Sequence, residues 1–257
     1  MASLVLRERR GHVERLTLHQ PERRNALSRA MLQQLLAVLN DVEADQEVRV
    51  VVLQASGPVF SSGHDLRELA QATQAEALEL FELCSQVMER VRLLRCPVIA
   101  QVQGLATAAG CQLVASCDLV VASTEARFAT PGVRIGLFCT TPAVALARAI
   151  PAKAALEMLL TGEAIDASTA HRLGLVNRVV PPEQLEAAVQ DLAERIAGFS
   201  PEVVALGKKA FYQQLAHSDY AAAYALACPV MAANTLHPAA REGIAAFLEK
   251  RPPRWPT

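Results

Sequence analysis

The sequence lacks any run of ~18 apolar residues, the length a helical membrane span requires, so a membrane partner is not expected. It also lacks charge of one prevailing sign. Twenty-five Lys and Arg against 26 Asp and Glu give a formal net charge of -1, with no long basic or acidic block, which argues against a nucleic-acid partner bound through a basic face. No two of its six cysteines form Cys-x-x-Cys. Cys84, Cys96, Cys111, Cys117, Cys139 and Cys228 therefore read as small core residues in a reducing compartment, and neither a disulfide framework nor a zinc site is expected. Low-complexity segments and fixed-period repeats are missing as well. The start, MASLVLRERRGHVERL, has no signal-peptide core. These absences predict a soluble cytoplasmic protein without a metal. What the chain does have is apolar content: 52% of 257 residues, enough to bury the core of one large domain with a small helical appendage.

The most informative stretch is Pro97–Ser123, PVIAQVQGLATAAGCQLVASCDLVVAS. Pro97–Val102 suits a buried strand, Gly104–Gly110 is rich in Gly, Ala and Thr, Cys111–Ala115 reads as the opening of a buried helix, and Asp118–Ala122 as a second buried strand. The first turn of a helix leaves backbone N–H groups unpaired and carries the positive end of the dipole. Small side chains at Ala106, Ala108, Ala109 and Gly110 would admit a ligand oxygen to those groups, and a carbonyl gaining negative charge in a reaction could be held there. The same small residues also suit a tightly packed helix–strand junction with no ligand.

Around this stretch, Leu4–Leu6 and Val13–Leu18 read as strands joined by a charged turn at Arg9–Gly11. Ser28 precedes a helical pattern through Val42, and Val48–Gln54 is a β-branched run that predicts a central strand. Ala55–Gly63 reads as a loop, and Leu66–Leu94 as mostly helical. Phe128–Gly136 reads as a loop with two glycines and a proline. Asp166 can cap a helix that Gly174 ends. Near residue 198 the pattern shifts from mixed α/β to all-α. The expected organisation is a core over 1–198 and a helical C-terminal region over 199–257.

Several pieces, in order along nearly the whole chain, resemble the crotonase (enoyl-CoA hydratase/isomerase) superfamily. They are Phe60-Ser-Ser-Gly-His-Asp-Leu66, Pro97-Val-Ile-Ala-x-Val-x-Gly104, Ala109-Gly-Cys-Gln-Leu113, Cys117-Asp118, Phe128-x-x-Pro131-x-x-x-x-Gly136, Leu160-Thr-Gly162, Ala170-x-x-x-Gly174-Leu-Val176 and the segment Arg241–Arg251. The resemblance implies an α/β fold: a ClpP-like spiral of strand–strand–helix turns followed by an all-α C-terminal trimerisation region, assembling as a trimer or a dimer of trimers. It implies no cofactor, but a CoA thioester as substrate or ligand. The thioester oxygen would take the backbone N–H groups of His64 and Ala109, the latter standing where many relatives have glycine. Ser62, Gly63 and Arg67 would lie along the CoA moiety, and Phe247 and Lys250 would approach CoA, that of a neighbouring subunit included. Taken alone, Arg67 equally suits a solvated helix face and Lys250 a charged tail.

Hydratases of this family use two glutamates, one for the water and one for the proton at Cα. By motif these fall at Gln112 and Gly132. A glutamine is neither acid nor base, and glycine has no side chain at all. Ordinary hydration is therefore expected to be weak or absent. An acyl-CoA-binding pseudoenzyme, or an enzyme of different chemistry such as thioester hydrolysis or decarboxylation, stands as the alternative. His64 titrates near neutrality and is the candidate substitute. Cys111 and Cys139 lie near the implied acyl pocket, with no activating group evident in the sequence.

Overall fold

In the computed structural model, which describes residues 3–255, the chain opens with an antiparallel pair, β1 (Val5–Arg10) and β2 (Val13–Leu18), turning at Gly11. β1 runs through the residues expected to form a charged turn. It is an edge strand, where charged side chains are tolerated, and its Arg7 and Arg9 both bind the buried Glu14 of β2 at 2.7 Å. Helix α1 (Arg29–Ala44) starts where Ser28 accepts the Met31 N–H, and it buries Met31, Leu32, Leu35, Leu39 and Val42 along one face. Then follow β3 (Val50–Ala55), β4 (Val59–Ser61), α2 (Leu66–Gln71) and α3 (Gln74–Leu93). The stretch read as mostly helical is two helices, parted at Ala72–Thr73 because Thr73 and Glu76 form a reciprocal capping box that begins α3 afresh.

The remaining elements are β5 (Val98–Val102), β6 (Leu105–Thr107), α4 (Ala109–Ser116), β7 (Leu119–Ser123), β8 (Arg127–Ala129), α5 (Thr140–Ala149), α6 (Ala152–Thr161), β9 (Ile165–Asp166), α7 (Ala167–Leu173), β10 (Arg178–Val180) and α8 (Leu185–Ala197). Helices α9 (Pro201–Leu215), α10 (Tyr220–Thr235) and α11 (Pro238–Leu248) complete the chain.

The strands form two sheets. The larger has the order β1-β2-β3-β5-β7-β10, parallel apart from the first pair; the smaller has the order β4-β6-β8-β9, parallel apart from the last. The logic is a spiral. The pairs β3–β4, β5–β6 and β7–β8 each give their first strand to the large sheet and their second to the small one, and a helix follows before the next pair. This is the strand–strand–helix winding that the resemblance implies. One core fills the space between the sheets and helices α1, α3 and α4, and a second lies between the large sheet and α8.

α9 docks on the spiral through a polar latch. Asp118, just before β7, accepts Lys208 Nζ at 2.6 Å, Tyr212 Oη at 2.9 Å and the Val98 N–H at 2.7 Å. The pair is largely withdrawn from water, so removing either partner would strand the other, typically costing ~3–5 kcal/mol. By contrast, α10 and α11 leave large apolar side chains in solvent, among them Tyr220, Tyr224, Met231 and Phe247. No helix among the described residues is long and apolar enough to cross a membrane.

Candidate functional site

The small sheet sets the site, because each of its first three strands ends in a turn facing the same place. β4 runs into Ser62-Gly63-His64-Asp65, β6 into Ala108 and α4, and β8 into Thr130-Pro131-Gly132. Register holds the three turns together: Thr107 pairs with Ala129, and the Ala108 N–H continues the ladder to Ala129 O at 2.9 Å.

The first two turns touch at Gly63. Its φ is +84°, and a Cβ built there would lie 2.8 Å from Ala108 Cβ, 3.0 Å from Thr107 O and 3.1 Å from Ala109 N. Only glycine fits both that torsion and that gap. Gly63 O accepts the Leu27 N–H at 2.7 Å and Ser62 N–H donates to Arg24 O at 3.0 Å, so the turn is pinned from both sides. Its consequence is that the His64 and Ala109 amides come from adjacent turns. Neither donates to a protein acceptor among the described residues. At Ala109 this follows from its place at the start of α4; at His64 it follows from the left-handed turn of Gly63.

The entry to α4 is strained. Ala108 has φ +51° and ψ -120°, the conformation of the first central residue of a type II′ turn, which favours glycine. The expectation that Ala109 would be the departure from glycine thus meets a second departure one residue earlier. In the sequence Ala108 reads only as a small residue.

His64 is half-buried. Its Nδ1 lies 3.3 Å from Leu27 O, and its ring stands edge-on to Phe81 with centroids 5.2 Å apart. A carbonyl can only accept, so Nδ1 carries the proton and Nε2 offers a lone pair. Nε2 is buried without a partner. Burial lowers the His64 pKa from its ordinary 6.5, with the Leu27 carbonyl opposing, so the ring is neutral near pH 7. The two carboxylates nearby are engaged elsewhere: Asp65 caps α2 by accepting the Arg67 N–H at 3.0 Å, and Glu68 accepts the Arg29 N–H at 3.0 Å.

Gln112 lies one turn into α4 and is 4% exposed, yet its Oε1 has no partner. Thr107 Oγ1 and Thr130 Oγ1 are likewise buried and unpartnered. Four of the six such atoms among the described residues (with His64 Nε2) therefore belong to this one neighbourhood. Buried polar groups are normally satisfied by protein or water, so these four atoms set the neighbourhood apart as a candidate site.

Gly132 is enclosed. A Cβ there would sit 2.7 Å from Cys139 Sγ and 2.7 Å from Leu137 O. Its torsion is ordinary, so the restriction is one of space. The neighbour that fills it, Cys139, precedes α5.

The remaining candidates lie apart from these turns. Arg67 is exposed on the first turn of α2 and makes no ion pair among the described residues. Phe247 projects from α11 beside an apolar cavity of about 530 Å³ shared with Phe199, Ile244 and Trp255, and Lys250 is exposed just beyond that helix. The structure thus brings Gly63, His64, Ala109 and Gln112 together and sets Gly132 on the adjoining turn, with Ser62 at the rim. It does not bring Phe247 or Lys250 to them within one chain. Among the described residues no group of three or more His, Cys, Asp or Glu could hold a metal ion.

Comparison with known proteins agrees with this fold. The family model described as enoyl-CoA hydratase/isomerase matches residues 8–257. The mouse protein named enoyl-CoA hydratase domain-containing protein 3, mitochondrial, is 52% identical over 245 residues, covering 95% of this chain and 81% of the mouse one. Among solved structures, an enoyl-CoA hydratase of Mycobacterium smegmatis superposes with a TM-score of 0.97 at 48% identity, covering 100% of both chains. Human enoyl-CoA hydratase domain-containing protein 3 gives 0.96 at 47% identity, covering 98% of this chain and 100% of that one. The expectation of a cytoplasmic protein is overturned here: the mouse, rat, human, frog and zebrafish relatives are all named as mitochondrial. Free cysteines and balanced charge report a reducing surrounding, not which compartment supplies it. Compartment is addressed by targeting segments rather than by a fold's core.

Proposed function

The chain belongs to the enoyl-CoA hydratase/isomerase family, and from that premise we propose that it binds acyl-CoA thioesters and hydrates enoyl thioesters only slowly. The observation that carries the reading is the pair of unclaimed amides, His64 N–H and Ala109 N–H, held in adjacent turns by the contact at Gly63. A thioester oxygen seated there would have its developing negative charge stabilised by preorganised donors at a helix start. Ser62, Gly63 and Arg67 lie along the path for CoA. Phe247 and Lys250 serve the CoA of a neighbouring subunit in a trimer or dimer of trimers, a reading supported by the apolar side chains that α10 and α11 leave exposed.

Slow hydration follows from what stands where the two carboxylates should be. Gln112 offers an amide, and Gly132 offers neither a side chain nor room for one. Asp65 and Glu68 are spent on helix caps. Each absent acid or base typically costs ~10²–10⁴ in rate. The test pairs calorimetry with butyryl-CoA and steady-state loss of crotonyl-CoA absorbance. Binding is expected, with a kcat far below the ~10 s⁻¹ typical of enzymes. A kcat near that value would overturn the slow-hydration reading, and no binding at millimolar butyryl-CoA would overturn the acyl-CoA reading itself.

A further inference from the structure

Arg15 is a buried cation with no anion beside it. It stands on β2 at 1% exposure. By the alternation of a strand it shares the face of Val13, which packs toward α8, on the other side of the large sheet from the three turns. Its neighbour Glu14 is a buried acid held by two arginines. Arg15 is met by amides alone. Nη1 donates to Gln54 Oε1 at 3.0 Å and Gln101 Oε1 at 3.4 Å, Nη2 donates to Gln190 Oε1 at 2.7 Å, and Nε is buried without a partner. Burial and the Arg10 charge work against its charged form, and Glu186 and Glu8 offset them only in part. A guanidinium nonetheless keeps its proton in a protein, and a buried charge without a counter-charge is costly.

A cleft of about 700 Å³ opens beside it, between the β1–β2 turn and the end of α8. Val13 and Gln190 both form its wall, so the Gln190 side chain stands between the cleft and the Arg15 guanidinium. The rest of the wall suits an anion. Arg49 donates to Ala197 O at 3.1 Å and makes no ion pair among the described residues. The successive amides of Gly11 and His12 donate to no protein acceptor among the described residues, an arrangement that binds anions. Arg10 is shared between Glu8 and Glu186. The one acid of the wall, Glu194, accepts Gln190 Nε2 at 2.7 Å.

We propose that this cleft binds hydrogen phosphate, with Arg49 and the Gly11 and His12 amides at its mouth and Arg15 at its base. The Gln190 amide shows the chemistry required. It presents an acceptor to Arg15 and a donor to Glu194. An anion that takes its place must do the same. Hydrogen phosphate does: its oxygens accept from Arg15, including the unpartnered Nε, whose edge of the guanidinium matches two oxygens of one anion, and its O–H donates to the Glu194 carboxylate. It adds what the amide lacks, the negative charge that Arg15 is missing. Sulfate carries the charge without the proton, so Glu194 repels it. Glu194 thus sets the selectivity and Arg15 the affinity, while Gln190 closes the base when the ligand is away.

The experiment titrates the full chain calorimetrically at pH 7 with inorganic phosphate, and with sulfate at equal ionic strength. Phosphate should bind, and sulfate should bind at least about tenfold more weakly, as for a lost charge-assisted hydrogen bond. Arg15→Met replaces the buried charge by an apolar side chain, a change such sites often tolerate, and should weaken phosphate at least about tenfold. Arg49→Gln, nearer the surface, should weaken it by about threefold. Gln190→Ala uncovers Arg15 and should tighten it. Arg67→Gln should leave it unchanged, which separates this cleft from the CoA path. Native phosphate affinity in folded Arg15→Met overturns the proposal. Weaker binding by Gln190→Ala overturns it too, because the amide and not the charge behind it would then hold the ligand. Equal response to phosphate and sulfate means charge screening only and overturns it, as does loss of binding in Arg67→Gln or no binding at millimolar phosphate. If Arg15→Met folds poorly, the opposite signs expected for Arg49→Gln and Gln190→Ala still decide.

Discussion

The two sheets share one spiral but are built on opposite terms. The large sheet's central strands β3 and β5 have six and five residues, all Val, Ile, Leu or Ala apart from one Gln each, and are mostly buried between the two cores. The small sheet's strands have three residues, or two in β9, too few to contribute much by pairing alone. Yet every turn of the candidate site leaves from the small sheet. Long strands fix where the second strand of each pair begins. Short strands then spend little chain before reversing, so that three turns meet within a few residues of their ladders. Stability and site geometry are thereby separated along the same repeat, and substitutions in each sheet should separate them experimentally.

Leu16→Ala tests the large sheet. Leu16 is fully buried on β2, beside Leu53 of β3 and beneath α1. Deleting such a side chain typically costs ~2–5 kcal/mol, read as a lower denaturant midpoint. Butyryl-CoA affinity of the folded variant should stay within about twofold, because well-separated sites act independently. Lost affinity would break the separation. Gly63→Ala tests the small sheet. The new Cβ is strained at φ +84° and meets Ala108 Cβ at 2.8 Å, so the destabilisation should be smaller, about 1–3 kcal/mol for one strained residue. The larger change should be in binding: the two amides move apart, and butyryl-CoA affinity should fall at least tenfold, about 1.4 kcal/mol. Gly63→Ala with unchanged affinity would mean that the contact at Gly63 does not set the site.

The same contrast decides what could be read from the amino-acid order. Val13–Leu18, Val48–Gln54 and Pro97–Val102 have the length and composition of strands, and each meets a strand of the large sheet within two residues of its expected ends. β4 falls inside a stretch read as a loop, β8 overlaps the start of another, and β6 falls inside the small-residue run. Three residues cannot display a period of two, so no pattern was available to find them. The site was legible differently, through punctuation: Gly63, the small residues before Cys111, and Pro131-Gly132 mark the three turns. What punctuation could not convey is who fills the space. That Cys139 folds back into the room beside Gly132, and that Ala108 carries the positive φ where it meets Gly63, are facts of three-dimensional contact.

Ala108→Gly should have the smallest effect and the most informative sign. At φ +51° and ψ -120° alanine pays for its Cβ, and a strained residue costs on the order of 1–3 kcal/mol. Glycine removes that strain but adds freedom to the unfolded chain, worth roughly 0.5–1 kcal/mol against it. It also removes the methyl group that faces Gly63. The strain term is the larger, so the variant should be more stable by about 1 kcal/mol, seen as a melting temperature raised by ~2–4 °C for a chain of this size. Butyryl-CoA affinity should change less than for Gly63→Ala, since the amides keep their places. A variant less stable than the native chain would mean that the Ala108 methyl, packed on Gly63, holds the turns together more than its backbone strains them. The small sheet would then be stabilised by the contact that builds the site, and stability and geometry would not be separable there.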